Sequence, residues 1–105
     1  MPSRFEPCGL AQMQALRYGT LPVVTAVGGL RDTVIDADDD PAAGTGWVAA
    51  EPSPVDLLDA VHRAVRGWSD PAVRRAAQAR GMAVDWSWRA PAQRHVELYE
   101  AVMRP

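Results

Sequence analysis

Among its 105 residues the chain has no lysine, no asparagine, one cysteine and one phenylalanine. Each absence removes a class of chemistry. Without lysine there is no Walker-type phosphate loop, no Schiff-base amine and no lysine clamp on a phosphate. A lone Cys8 excludes an intramolecular disulfide, and neither His62 nor His95 has a cysteine or second histidine at ligand spacing, which argues against a metal site. No apolar run approaches the roughly 20 residues that a membrane-spanning helix needs. The opening residues, with Pro2, Glu6 and Pro7, lack the apolar stretch of a secretory signal, so a cytoplasmic setting is expected. All eleven basic residues are arginine, they face thirteen acidic ones, and they form no basic block. That balance excludes the electrostatic footprint of a nucleic-acid or anionic-membrane partner.

What is present is 48% hydrophobic and 23% charged, with eighteen alanines, as in a soluble globular unit of one domain or less. A chain of this length buries about 65% of its unfolded surface, enough for a core without disulfides. Gly9 to Tyr18 reads as a helix with Leu10, Met13 and Leu16 on one face, stopped by Gly19. Leu21 to Ala26 is an apolar, β-branched run between glycines, which suits a strand of a parallel sheet. A short helix over Gly29 to Ile35, an acidic turn through Asp38-Asp39-Asp40 and a second short strand at Trp47-Val48-Ala49 follow. Ser53-Pro54-Val55-Asp56 is a helix start, with Leu57, Leu58, Val61, Val65 and Trp68 at helical spacing after it. Asp70-Pro71 starts another helix, expected to run to about Ala79 and break near Gly81. A last one begins around Ser87, with Val96, Tyr99 and Met103 on one stripe.

Two short strands are too little sheet for a doubly wound domain. The chain therefore reads as the C-terminal part of a larger α/β domain, its first βα unit severed upstream. On that reading the strand at Leu21 to Ala26 lacks at least one neighbour, and the isolated chain is expected to be marginally stable and to self-associate.

The stretch most suggestive of chemistry is Ser3 to Gln12, where Glu6 sits on a proline-stiffened turn just before a glycine and a helix. Free N–H groups at Cys8, Gly9, Leu10 and Ala11 would face outward at the helix start, a favourable place for a phosphate. Glu6 would stand beside them, suited to the hydroxyls of a sugar. On spacing alone, a Glu6 that merely caps a surface helix is the commoner arrangement. Cys8 reads either as a reactive thiol or as a small residue packed behind the loop. Three of the four tryptophans fall on expected apolar faces or element junctions, so packing rather than a sugar platform is expected of them. The Asp38–Asp40 run lacks the glycine and distal glutamate of a calcium loop and reads as a solvated turn.

The strings Ser3-Arg4-Phe5-Glu6-Pro7-Cys8-Gly9-Leu10-Ala11-Gln12, Tyr18-Gly19-Thr20-Leu21-Pro22-Val23-Val24 and Gly28-Gly29-Leu30-Arg31-Asp32-Thr33-Val34 resemble, in order and spacing, glycosyltransferase family five. That family comprises bacterial glycogen synthases and plant starch synthases. Gly44-Thr45-Gly46-Trp47-Val48 and Asp85-Trp86-Ser87-Trp88 are similar to later elements of the same family. The resemblance implies an incomplete C-terminal part of a Rossmann-like domain of a two-domain GT-B enzyme, mostly helical with about two short parallel strands. Residues 1–50 would be the active-site α/β part, and 51–105 the helical part ending in the helix that crosses to the N-terminal domain. It implies transfer of glucose from ADP-glucose to the non-reducing end of an α-1,4-glucan with retention of configuration, without a cofactor. Glu6 would be the catalytic carboxylate beside the donor glucose, with the backbone of Gly9, Leu10 and Ala11 on the diphosphate and Cys8 near the donor. Gln14 stands where related transferases carry a ribose-binding acid, and Gly28-Gly29 corresponds to a second glycine motif at the cleft. Val27 and Ala11 replace frequent threonines, which removes a hydroxyl and keeps the backbone contacts. The family's Lys-x-Gly-Gly motif and its cationic Arg/Lys pair have no counterpart here, so the chain alone is expected to be inactive. Two other functions are compatible with the residues: another retaining nucleotide-sugar transferase, or a noncatalytic half-domain that binds a nucleotide sugar or a partner protein.

Overall fold

Helices and strands follow in the order α1 (Ala11–Arg17), β1 (Val23–Thr25), α2 (Gly28–Thr33), β2 (Trp47–Ala49), α3 (Pro54–Ser69), α4 (Pro71–Ala83) and α5 (Arg89–Met103) in this computed structural model, which describes residues 1–104. The mostly helical α/β architecture with two short strands is as expected. β1 and β2 pair in parallel, with Val23 opposite Trp47 and Thr25 opposite Ala49. Val24, Leu30 and Val34 form the core beneath them.

β1 has β2 as its one strand partner among the described residues, as expected, but its second edge is not bare, because residues 1–3 run along it. The amine of Met1 donates to the Val23 carbonyl (2.6 Å), the Thr25 amide donates to the Met1 carbonyl (3.2 Å), and the Thr25 hydroxyl reaches the Ser3 carbonyl. The outer edge of β2 is closed by side chains instead of a strand. The Val48 amide donates to Asp36 Oδ2 (2.7 Å), and Arg63 Nη2 donates to the Val48 carbonyl (2.8 Å). Arg63 Nη1 also grips both Asp36 oxygens at 3.0 and 2.8 Å, while its Nε bonds Asp59 one turn back. An ion pair thus satisfies the backbone groups that an edge strand would otherwise expose.

The helix starts match their sequence signals. Ser53 Oγ accepts from the Asp56 amide, Asp70 accepts from those of Ala72 and Val73, and a proline follows each cap. The buried faces differ from expectation. On α3 the stripe facing the sheet is Ala60, Arg63, Ala64 and Gly67, while Leu58, Val61, Val65 and Trp68 remain substantially exposed. The reason is Trp47, which projects from β2 so close to Gly67 that a Cβ there would overlap its ring. Trp47 is accordingly the one fully buried tryptophan; Trp68 lies on the surface under the Arg74 guanidinium, and Trp86 and Trp88 are exposed, so packing accounts for one of the four. Gly81 does not break α4. It lets the helix pass over Leu16, whose Cδ2 would lie 2.8 Å from an added Cβ. α1 starts at Ala11 rather than Gly9, and it buries Gln12 and Leu16 while Leu10 is 65% exposed. α5 has no buried residue, so Val96, Tyr99 and Met103 form an outward apolar stripe.

Burial alone would push the Asp36 carboxyl upward. The hydrogen bonds from Arg63 and from the Val48 and Asp38 amides, with the Arg63 charge, outweigh it and hold Asp36 below the usual aspartate range. A depressed folded-state value means stabilisation that is present above about pH 4 and lost as pH falls through the folded value. The urea midpoint of the chain, followed by circular dichroism, is therefore expected to drop on acidification below about pH 4. Asp36→Asn should flatten that dependence; an unchanged acid slope in the variant would assign the effect to other carboxylates.

Candidate active site

The segment from Arg4 to Leu10 crosses in front of the start of α2, and two glycines make the crossing possible. Gly28 has φ +44°, and a Cβ on it would overlap the Glu6 carbonyl oxygen; one on Gly29 would overlap that of Cys8. The Gly29 amide donates to the carbonyls of both Glu6 and Pro7 at 3.2 Å. Glu6, Cys8, Gly28 and Gly29, separated by about twenty residues in sequence, are thereby brought into one place. Gly9 follows with φ +74°, a left-handed turn that only glycine adopts without strain.

The turn leaves donors free. Among the described residues, the backbone N–H groups of Cys8, Gly9, Leu10 and Ala11 give no hydrogen bond to any protein oxygen. α1 is only seven residues long, so an anion here would be held by these individual N–H groups more than by a long helix dipole. The Glu6 carboxylate takes part in no hydrogen bond or ion pair among the described residues, although the residue is partly buried. α1 has no side-chain cap, so Glu6 is not a capping residue. Cys8 is exposed rather than packed behind the loop. No group of three or more His, Cys, Asp or Glu among the described residues could hold a metal ion, and no helix is long and apolar enough to cross a membrane.

Gln14 is exposed on α1. With Leu10, Met13, Arg17 and Tyr18 it lines a groove of about 590 Å³ closed on the far side by Val84 to Ser87. Arg17 ties the two walls together by donating to the Met82 carbonyl (3.2 Å). Two residues that sequence reasoning passed over complete the arrangement. Gln12 is fully buried, and its Nε2 lies 2.9 Å from the carbonyls of both Cys8 and Gly9 and 3.1 Å from Thr33 Oγ1. A polar residue four positions before Leu16, on the same helical face, is the signal that could have found it.

Residues 1–82 match the family described as Glycosyl transferases group 1. The chain belongs to this family. The group 1 segment is 54% identical over 99 residues to a glycogen synthase of Alkalilimnicola ehrlichii, covering 94% of this chain and 20% of the relative. It is 52% identical over 103 residues to that of Halorhodospira halophila, covering 98% and 22%. The catalytic domain of starch synthase IV from Arabidopsis thaliana, solved bound to ADP and acarbose, superposes with a TM-score of 0.84 at 36% identity, over 95% of this chain and 21% of that one. The resemblance to glycogen and starch synthases read from Ser3–Gln12 and Gly28–Val34 is thus borne out, as is the architecture of a GT-B glycosyltransferase segment. The chain spans about a fifth of the length of the curated relatives that it matches.

Proposed function

We propose that this group 1 segment forms the donor-side wall of an α-glucan synthase active site, which transfers glucose from ADP-glucose to the non-reducing end of an α-1,4-glucan with retention. The observation that carries this reading is the pairing of Glu6, whose carboxylate meets no partner among the described residues, with four backbone N–H groups equally unpaired among them, on Cys8 to Ala11 of the same glycine-locked loop. Unpaired N–H groups held in place stabilise negative charge as it develops on a departing diphosphate, because they need no reorganisation at the moment of reaction. Gly9, Leu10 and Ala11 take that role, with Cys8 beside them. Glu6 faces the donor glucose and acts on the sugar; Gln14 offers an amide to the ribose, one that hydrogen-bonds without a charge. Gly28 and Gly29 hold the loop. The cations that a diphosphate leaving group needs come from outside this lysine-free chain. In this reading residues 1–50 are the active-site part. Residues 51–105 are the helical part, whose exposed α5 stripe seats on the N-terminal domain, in a cytoplasmic enzyme.

The glycogen synthase relatives and the starch synthase structure bound to ADP support the substrate class. The test is a chimera in which residues 1–105 replace the matching stretch of the Alkalilimnicola glycogen synthase. It is expected to transfer glucose from ADP-glucose to glycogen at a rate within about tenfold of the parent. Transfer only from another nucleotide sugar would move the assignment to a different retaining transferase, and a folded but inactive chimera would overturn the reading. The 105-residue chain alone is expected to show no transfer and to sediment as a self-associated species at micromolar concentration. Turnover above a blank would refute the first of these expectations, and a compact, cooperatively unfolding monomer would argue instead for a free-standing, noncatalytic module.

A further inference from the structure

We propose that Gln12 and Thr33 are a positioning pair for the transfer reaction, a hydrogen-bonded latch that holds the Glu6–Leu10 loop in register with the Gly28–Gly29 turn. The proposal rests on the donor-site reading above. The latch is a closed circuit. The Thr33 hydroxyl donates to the Gly29 carbonyl (2.6 Å), which commits its one proton and leaves a lone pair to accept from Gln12 Nε2 (3.1 Å). The same nitrogen reaches the Cys8 and Gly9 carbonyls (2.9 Å each), and the Gly29 amide returns to the carbonyls of Glu6 and Pro7 (3.2 Å each). The bonds to the Cys8, Gly9, Glu6 and Pro7 carbonyls end on the backbone of the loop that carries the candidate carboxylate and the free N–H donors, and the two through Thr33 tie that loop to α2.

The orientation of the amide is set by this circuit. Three acceptors surround Nε2, so the nitrogen faces them, and Oε1 is turned against Gly9, 2.5 Å from where a Cβ would stand. There the oxygen is buried without a partner. The unpartnered oxygen is a cost, offset by the bonds that Nε2 gives to the Cys8 and Gly9 carbonyls and the Thr33 hydroxyl. What the amide provides, and an apolar residue cannot, is a fixed spacing between two loops. Small displacements of groups aimed at a reacting centre cost about 10²-fold in rate even when the altered residue lies outside it.

The experiment uses the chimera, with initial rates over ADP-glucose concentration and a thermal melt for each variant. Gln12→Met, which keeps the volume and loses the donors, and Thr33→Val are each expected to lower kcat about 10–100-fold while KM for ADP-glucose changes less than about threefold. Thr33→Ser, which restores the hydroxyl, should recover kcat to within about threefold of wild type. The double variant should be no slower than the slower single one, because either change opens the same circuit. Undiminished kcat in both single variants, a Thr33→Ser enzyme as slow as Thr33→Val, or multiplicative losses in the double variant would each overturn the proposal. An inactive chimera carrying the unaltered segment would instead remove the donor-site reading, and the proposal would fall with it. A Gln12→Met variant that fails to fold leaves the Thr33 series to decide.

Discussion

Replacing Glu6 by alanine in the active chimera is expected to lower kcat by about 10²-fold or more while the melting temperature stays nearly unchanged. The two halves of that expectation have separate causes. The carboxylate meets no donor or cation among the described residues, so its removal takes no interaction from the fold. The part of Glu6 that does structural work is its carbonyl, which accepts from the Gly29 amide and is retained in alanine. Glu6→Gln keeps the shape and removes the charge, and it should fall as far as alanine if the charge acts on the sugar. Initial rates with ADP-glucose and glycogen, together with a circular-dichroism melt, decide it. Surviving activity, or a melting temperature lower by many degrees, would make Glu6 a structural residue.

Arg63→Met is expected to be the most damaging single change to the stability of the chain, by about 2–4 kcal/mol. It strands the buried Asp36 carboxylate, leaves the Val48 carbonyl at the sheet edge without its donor, and detaches the face of α3 that lies on β2. In a chain of this size that corresponds to a melting temperature lower by about 10 °C or more. Asp36→Asn keeps an acceptor for the Val48 amide and should cost less than Arg63→Met, because a neutral amide beside a partly exposed arginine is easier to solvate than a buried anion. Thermal and urea unfolding of the two variants measure the difference. A change of only a degree or two in Arg63→Met would show that β2 needs no side-chain edge.

The failed expectations about packing share a cause. Leu58, Val61, Val65 and Trp68 form the apolar stripe that periodicity selects, yet α3 turns Ala60, Ala64 and Gly67 to the sheet because the bulk at that interface comes from Trp47. Hydrophobicity along one helix carries no information about the size of the residue that meets it. Gly81 looks like a breaker in the sequence for the same reason: its partner Leu16 lies 65 positions away. Arg63 and Asp36 are 27 residues apart, and each looks like an ordinary surface charge until β2 is placed between them.

The sequence by itself determined what depends on a few neighbouring residues. Ser53-Pro54 and Asp70-Pro71 start helices because capping and a preset φ act within one turn. Short apolar runs bounded by glycine form the strands, and the string from Ser3 to Gln12 identifies the family and most of the candidate site. Only the tertiary structure decided which atoms of that string are free to act. Among the described residues it freed the Glu6 carboxylate of any capping duty and left four N–H groups unpaired, and it set Gly28 and Gly29 beneath the loop with Gln12 and Thr33 behind it. The physical reason is range: a cap or a turn is settled by local backbone chemistry, whereas the availability of a polar group depends on every element that packs around it.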